Sequence, residues 1–354
     1  MGEEWCLGGN PKGEDRGMKA TVFYGKGDIR VENVKDPVLE PEGIIIQIKA
    51  CGICGSDLHP QDSWDRENGM ILGHEFSGDV IEVGANVTGI HKGDRVTALG
   101  YKTCGECSWC RRDLPQRCTA RKFVGYAFPG GFAEYVSIPV AILKATVFPL
   151  PDTISYEEGA AVEPLSIAIH AARRAEPTSK ETVVVLGAGM IGQCALQVFK
   201  ALGAAKVIVS ELGRKRLEVA AATGADIIID AGKYDTRERV LEVTAGDGPD
   251  TVVECAGSPI TFQEAVDMVR GGGKIMLVGV YSKPISWNPF DLIRKNVRMI
   301  GCLGGSFPRA IDLISSGTVN AKALVTHTFP LDRAKEAFEI QLRADEAVKV
   351  LIKP

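Results

Sequence analysis

Six short apolar runs, separated by helix-length segments, lie between residues 182 and 302, and they most strongly limit what this chain can fold into. The runs read TVVVLG, KVIVSE, DIIID, DTVVEC, GKIMLVGV and VRMIGC. Continuous apolar runs are typical of parallel strands that are covered on both faces. Their alternation with helical segments is typical of a doubly wound sheet. The sequence therefore predicts an α/β fold built around a doubly wound parallel sheet.

A glycine-rich loop follows the first of these runs. The segment VVVLGAGMIG places Gly187, Gly189 and Gly192 in the pattern G-x-G-x-x-G, between a strand and a helix. Such glycines let the backbone approach a pyrophosphate, whose charge then lies at the helix N-terminus. We therefore expect a dinucleotide-binding Rossmann domain, in which Met190 and Ile191 join the three glycines at the cofactor.

The end of the second run indicates which dinucleotide binds. Glu211 lies there, about twenty residues after the loop, and Arg214, Lys215 and Arg216 follow it directly. A carboxylate at this place accepts hydrogen bonds from the adenosine ribose of NAD and repels the 2′-phosphate of NADP. The sequence therefore favours NAD. The three basic residues either cover the adenine or face water, and we expect Arg216 at the cofactor.

The rest of the chain has a different pattern. From Met18 to about residue 165, short strands are broken by Gly and Pro, which predicts a β-rich domain. Residues 1–17 are Gly-rich and charged and predict a disordered extension. The tail either extends the nucleotide domain or returns to the first one. We expect a catalytic domain of residues 18–165 and 305–354, and a Rossmann domain of residues 166–304.

Composition narrows the class of ligand. The formal net charge is −4 and no block of Lys or Arg is present, which argues against a nucleic-acid partner. No apolar run approaches the ~18 residues that span a bilayer. Ten cysteines occur without a secretion signal, and reducing cytosol keeps such thiols free. We expect a cytoplasmic protein that acts on a small molecule and uses its cysteines for metal or catalysis.

Four cysteines cluster in the segment CGECSWCRRDLPQRC. They are Cys104, Cys107, Cys110 and Cys118. Four thiolates in such a short loop can close a tetrahedron around Zn²⁺ and leave no position for a substrate. An iron–sulfur cluster is the alternative, but there a fourth cysteine usually follows within a few residues and precedes a proline. The spacing therefore favours a structural zinc site.

A second cysteine pair lies in the segment CGICGSDLH, where Cys51 and Cys54 stand three apart. A thioredoxin-like redox pair would begin a helix near a βαβ unit, whereas this pair lies in the β-rich domain. His74 and Glu75 follow in GHEFSG, and Glu163 lies in EPLSIAIHA. A thiolate, an imidazole and a carboxylate suit a catalytic zinc that keeps one position open for substrate.

These motifs carry a resemblance. From Met18 onward, the order GICGSDLH, GHEFSG, KGDRV, the four cysteines, EPLSIAIHA and the glycine loop resembles zinc-dependent medium-chain alcohol dehydrogenases of the sorbitol, butanediol and threonine dehydrogenase branch. The resemblance implies a GroES-like catalytic domain. It also implies that Cys54 rather than Cys51 binds zinc, that His74 is the second ligand, and that Glu75 and Glu163 share the remaining contacts directly or through water.

The resemblance further implies a proton path and a reaction. Ser56 and His59 would pass the alcohol proton outward, and Asp57 would orient the liganding imidazole. Alternatively, Ser56 and Asp57 cap a helix and His59 is an exposed loop residue. We expect reversible oxidation of a secondary alcohol to a ketone with NAD, by a homo-oligomer that is a dimer or a tetramer.

The substrate is less constrained than the reaction. Pro60 follows His59 where the mammalian sorbitol dehydrogenase pattern has an aromatic residue, and GCLGGS lacks the arginine that contacts polyols there. A vicinal diol, a sugar alcohol or an aminohydroxy acid, as in threonine 3-dehydrogenase, stays open. Rival hypotheses are a zinc-free enoyl or quinone reductase and a non-catalytic NAD-binding protein.

Overall fold

The N-terminal part of the chain folds into short strands. The computed structural model of the protein describes residues 17–25, 27–58, 69–112, 114 and 117–354, so the predicted extension (except Gly17) and His59 lie outside the described residues. The strands described in this part are β1 (Met18–Gly25), β2 (Asp28–Val34), β3 (Ile44–Gly52), β4 (Met70–Ile71), β5 (Glu75–Val83), β6 (Arg95–Ala98), β7 (Tyr101–Lys102), β8 (Lys122–Phe123), β9 (Tyr135–Ile138) and β10 (Val147–Pro149).

The apolar runs of the second part form one parallel sheet. Its strands are β11 (Thr182–Leu186), β12 (Lys206–Glu211), β13 (Ile227–Asp230), β14 (Thr251–Glu254), β15 (Lys274–Leu277) and β16 (Arg298–Gly301). They are ordered β13-β12-β11-β14-β15-β16, the order of a Rossmann domain. Val183 and Val185 pack into one buried cluster, whereas Val184 and Leu186 pack into another on the opposite face. The predicted doubly wound sheet, buried on both faces, is confirmed.

Helices with short N-terminal caps connect and cover these strands. Ser155, Asp235, Ser258 and Ser306 each accept a hydrogen bond from a backbone amide of the first helical turn, which offsets unpaired donors there. The helices of the described residues are α1 (Gly55–Leu58), α2 (Tyr156–Ala160), α3 (Val162–Ala175), α4 (Met190–Ala201), α5 (Arg214–Ala222), α6 (Thr236–Val243), α7 (Pro259–Met268), α8 (Phe290–Lys295), α9 (Phe307–Ser315) and α10 (Ala334–Gln341).

The C-terminal strands join the sheet of the N-terminal part. They are β17 (Val325–Pro330) and β18 (Lys349–Lys353), and β18 pairs antiparallel with β3. The resulting order is β10-β6-β5-β3-β18-β17, with β9 also on β3. The chain thus returns to its first part, and Lys349 enters beside the segment that follows β3.

Helix α3 connects the two parts. Its buried face packs against α4 and α9 in the same apolar cluster as β11, while Glu163 lies in its first turn. The domain boundaries at residues 165 and 304 stay predictions. Within the described ranges, every helix is too short or too polar to cross a membrane.

Candidate active site and metal centres

The four-cysteine loop brings its sulfur atoms together. The four Sγ atoms all lie within 4.8 Å of one another, and they belong to Cys104, Cys107, Cys110 and Cys118. The Sγ atoms of Cys107 and Cys110 are 3.5 Å apart, and those of Cys104 and Cys118 are 3.6 Å apart. The backbone amide of Cys110 donates to the Cys107 thiol and is the main cause that lowers the pKa of Cys107 to about 6. Four converging thiol groups of this kind can hold one Zn²⁺ ion.

A second set converges at the end of β3. Ligand atoms of Cys54, His74 and Glu75 lie within 4.8 Å of one another. The pairing of β3 with β5 places Glu75 opposite Gly52, so the residues just outside these strand ends meet. Sulfur, nitrogen and oxygen donors at this spacing fit a zinc ion.

Asp57 lies next to two of these candidate zinc ligands, Cys54 and His74. Its Oδ2 accepts a hydrogen bond from the Cys54 amide at 3.0 Å, and its Oδ1 lies 3.8 Å from His74 Nδ1. That distance is too long for a hydrogen bond, and His74 Nδ1 is buried with no hydrogen-bond partner among the described residues. Asp57 therefore holds the turn that carries Cys54 and lies next to the imidazole that we expected it to orient.

Lys349 is a residue of this site that the sequence did not indicate. Its Nζ lies 2.6 Å from Glu75 Oε2 and donates to the Ile53 carbonyl at 2.8 Å. Burial is the largest single influence and by itself would lower the pKa of Lys349. The charges of Glu75, Cys54 and Asp57, together with the hydrogen bond to Glu75, outweigh it and raise that pKa above its ordinary value. A lysine inside the apolar run AVKVLIK was the available signal, since an unpaired buried lysine is rare.

Glu163 lies beside the three-residue set but outside the group whose ligand atoms share the 4.8 Å limit. Burial raises its pKa to about 7, against the effect of the nearby His74. Burial is the main cause that raises the pKa of the Cys194 thiol. The charges of Lys349, Glu75 and Glu163 act on this pKa as well. Cys194 belongs to α4, the helix after the glycine loop, so the candidate metal set adjoins the cofactor side of the molecule.

A chain of hydrogen bonds runs past the imidazole. Ser56 Oγ and Tyr126 OH are 3.0 Å apart, and Tyr126 OH lies 3.3 Å from His74 Nε2. The Tyr126 and His74 ring centroids are 4.8 Å apart. Tyr126 stands in no recognisable motif, so sequence reasoning missed it. The predicted partner of Ser56, His59, lies outside the described residues.

The glycine loop has the expected frame. Gly187 follows β11 with φ of +89°, a conformation that favours glycine, and Gly189 precedes α4, which begins with Met190 and Ile191. Glu211 accepts hydrogen bonds from the amides of Ala188, at 2.7 Å, and Leu212, at 2.8 Å.

Arg216 and Gly192 complete the predicted cofactor residues. Arg216 Nη1 lies 3.7 Å from Glu211 Oε2. A side-chain carbon added at Gly189 would lie 3.9 Å from the same guanidinium, so Arg216 borders the loop. Gly192 is buried in the first turn of α4.

Comparisons with known proteins show the family of the chain. Residues 40–152 match the alcohol dehydrogenase GroES-like domain, and residues 191–316 match the zinc-binding dehydrogenase family. Sorbitol dehydrogenase of Bacillus subtilis (strain 168) is 34% identical over 347 residues, covering 95% of this chain and 97% of that protein.

Two solved structures share the whole fold. The 2R,3R-butanediol dehydrogenase of Bacillus subtilis superposes with a TM-score of 0.83 at 32% identity, covering 95% of this chain and 99% of that one. A protein of Sinorhizobium meliloti 1021, described as a zinc-binding dehydrogenase and bound to NADP, gives 0.85 at 30% identity, covering 96% and 99%. The predicted resemblance, the enzyme class and the need for zinc and a nicotinamide dinucleotide are confirmed. The chain belongs to the zinc-dependent medium-chain alcohol dehydrogenase family.

Proposed function

We propose that this dehydrogenase oxidises a secondary alcohol with a neighbouring hydroxyl, a vicinal diol or sugar alcohol, reversibly to a ketone. The observation that carries the proposal is the convergence of Cys54, His74 and Glu75, which Tyr126 links to the Ser56 hydroxyl. Two of the three proteins named above are a sorbitol dehydrogenase and a butanediol dehydrogenase, which favours a polyol or diol over the threonine 3-dehydrogenase alternative. A zinc-free reductase or a non-catalytic binding protein would have no use for this ligand set.

We assign the catalytic zinc to Cys54 and His74, with Glu75 and Glu163 sharing the remaining contacts. Glu75 Oε2 is engaged by Lys349, so this carboxylate has a second partner besides a metal. Zinc bound here would supply a Lewis acid that makes ionisation of an alcohol hydroxyl easier at neutral pH. Cys104, Cys107, Cys110 and Cys118 would hold the structural zinc.

In this proposal the protein's own groups handle the proton. Ser56 Oγ, linked to the ligand set through Tyr126, accepts the proton of the reacting hydroxyl as it donates its own hydroxyl proton towards His59. His59 then passes a proton outward. Tyr126 OH, in contact with both Ser56 and His74, orients the serine and offers a hydrogen bond to the substrate. A nicotinamide dinucleotide held at the glycine loop of Gly187, Gly189 and Gly192 would supply the hydride acceptor, and the protein would position it.

Replacing Tyr126 by Phe should lower kcat/KM for the substrate by about tenfold, the size of one hydrogen bond near a charged group. The ring would keep its packing on His74. Initial rates test this, with Tyr101→Phe as the matched control, since the Tyr101 ring contacts Phe123 as the Tyr126 ring does. Equal rates for wild type and Tyr126→Phe would remove Tyr126 from the site.

We propose NAD rather than NADP because the buried Glu211 lies at the end of β12, where the adenosine ribose binds.

We propose assembly through β16, the edge strand of the parallel sheet. Large exposed apolar side chains flank this strand at Phe290, Ile293 and Leu303. A second copy would pair its own β16 there and cover both edges. No cysteine of the described residues is in a disulfide, which fits our proposal of a cytoplasmic enzyme.

A spectrophotometric screen tests the function. NADH formation at 340 nm should appear with 2,3-butanediol or sugar alcohols and be weak with threonine and 2-propanol. NADP should be used with about a hundredfold lower kcat/KM, because the carboxylate of Glu211 opposes the 2′-phosphate. No reduction of either cofactor by any alcohol in the fully zinc-loaded protein would refute the proposal.

A further inference from the structure

The loops that flank the centre of the Rossmann sheet touch each other. The strand order reverses direction between β11 and β14, and a dinucleotide binds in the crevice at this switch point. Gly187 follows β11, and a side-chain carbon added to it would lie 3.0 Å from the backbone nitrogen of Ala256, which follows β14. The backbone of Ala256 therefore forms one wall of the crevice.

Glu254, the last residue of β14, fixes this wall. It is fully buried, and its Oε1 accepts hydrogen bonds from the amides of Ala256 and Gly257, both at 2.9 Å, and from Thr261 Oγ1 at 2.8 Å. Within the described ranges, Glu254 forms no ion pair. A buried carboxylate is costly unless its oxygens are hydrogen-bonded, so these donors hold the loop and the carboxylate in a single arrangement.

The other oxygen of Glu254 reaches the neighbouring loop. Tyr281, which follows β15, donates its hydroxyl to Glu254 Oε2 at 2.5 Å, and its ring packs edge-on against Phe262 with centroids 6.1 Å apart. The two loops also meet directly, since a side-chain carbon on Gly257, at φ +67°, would lie 2.3 Å from the Val280 carbonyl oxygen. One carboxylate thus joins the loops after β14 and β15.

We propose that Glu254 and Tyr281 are positioning residues that set the spacing of these loops for the nicotinamide half of the cofactor. The adenosine half lies over β12, where Glu211 ends the strand, so the mononucleotide unit of β14, β15 and β16 receives the nicotinamide half. The inference rests on the proposed function in that the cofactor is NAD(H). It does not depend on which alcohol is oxidised.

The Tyr281→Phe variant tests the proposal, because it removes the hydroxyl and keeps the ring on Phe262. We expect the Kd for NADH, measured by fluorescence titration, and the KM for NAD to rise about tenfold, with kcat changed less than about twofold. Inhibition by AMP, which occupies the adenosine half alone, should keep its wild-type constant.

The matched control is Tyr24→Phe. Tyr24 also donates to a carboxylate, Glu32 Oε2, at 3.0 Å, but it lies on β1 in the other part of the chain. The Tyr24→Phe variant should bind NADH as the wild type does, while its unfolding temperature should fall by about as much as that of Tyr281→Phe. Three results would overturn the positioning role of Glu254 and Tyr281. They are wild-type NADH affinity in Tyr281→Phe, an equal loss of NADH affinity in Tyr24→Phe, and an equal weakening of AMP inhibition in Tyr281→Phe. Failure of the wild type itself to bind NADH would instead overturn the proposed function, and with it the positioning role of Glu254 and Tyr281.

Discussion

Replacing Cys54 by Ala should lower kcat/KM for alcohol oxidation roughly a thousandfold or more. The metal contributes several kcal/mol of charge stabilisation to such a reaction, and the change removes one donor from the set of Cys54, His74 and Glu75. The affinity for NADH should stay within about twofold of wild type, because Cys54 belongs to the β-rich part of the chain and the glycine loop is unchanged. Initial rates and fluorescence titration measure the two quantities.

Cys51→Ala is the matched control for this prediction. Cys51 lies three residues earlier on β3, is fully buried and belongs to the apolar cluster of the first part. Its loss removes a small packed group, so activity should fall by no more than about threefold at moderate temperature. Comparable losses in both variants would mean that the Cys54 effect reflects folding rather than the metal.

Replacing Lys349 by Met should lower the free energy of unfolding by about 3–5 kcal/mol, the cost of removing one partner from a buried ion pair. Lys349 and Glu75 are both almost fully buried, with Nζ and Oε2 2.6 Å apart, so the buried carboxylate of Glu75 would lose its ammonium partner. Urea unfolding followed by tryptophan fluorescence measures the change.

Lys353→Met is the control, because Lys353 lies on the same strand and pairs with Glu157 at 2.6 Å, but at the partly exposed surface. Its loss should cost no more than about 1 kcal/mol. The Lys349 contribution should also depend on pH with a defined sign. Its folded pKa lies above the ordinary value of 10.5, so the stabilisation is fully present at neutral pH and is lost as the pH rises through the folded pKa. Equal urea midpoints for the two variants would contradict the ion-pair account.

The parallel sheet was predictable because its determinants are local. A strand buried on both faces must be apolar along its whole length, as in TVVVL of β11, and the glycine loop must directly follow it. The same applies to the four-cysteine loop, whose members all lie within residues 104–118. Local spacing alone sets these features.

The contacts that complete the site could not be predicted, because they join residues far apart in the chain. Lys349 and Glu75 are 274 residues apart, and they meet because β18 pairs with β3, a register that no local pattern specifies. Tyr126 reaches His74 from the turn after β8, and Tyr281 reaches Glu254 from the next loop of the sheet. A single tyrosine or lysine carries no periodicity, so such partners appear only once the strands are placed.

Elemental analysis of the purified wild type and of Cys54→Ala tests whether the protein holds a catalytic as well as a structural zinc ion, because the described residues contain two separate groups of metal-ligand side chains. We expect about two zinc ions per subunit in the wild type and about one in Cys54→Ala, with NADH formation lost together with the missing ion. A wild type that holds a single zinc ion, or a Cys54→Ala protein that keeps both ions and full activity, would contradict this expectation.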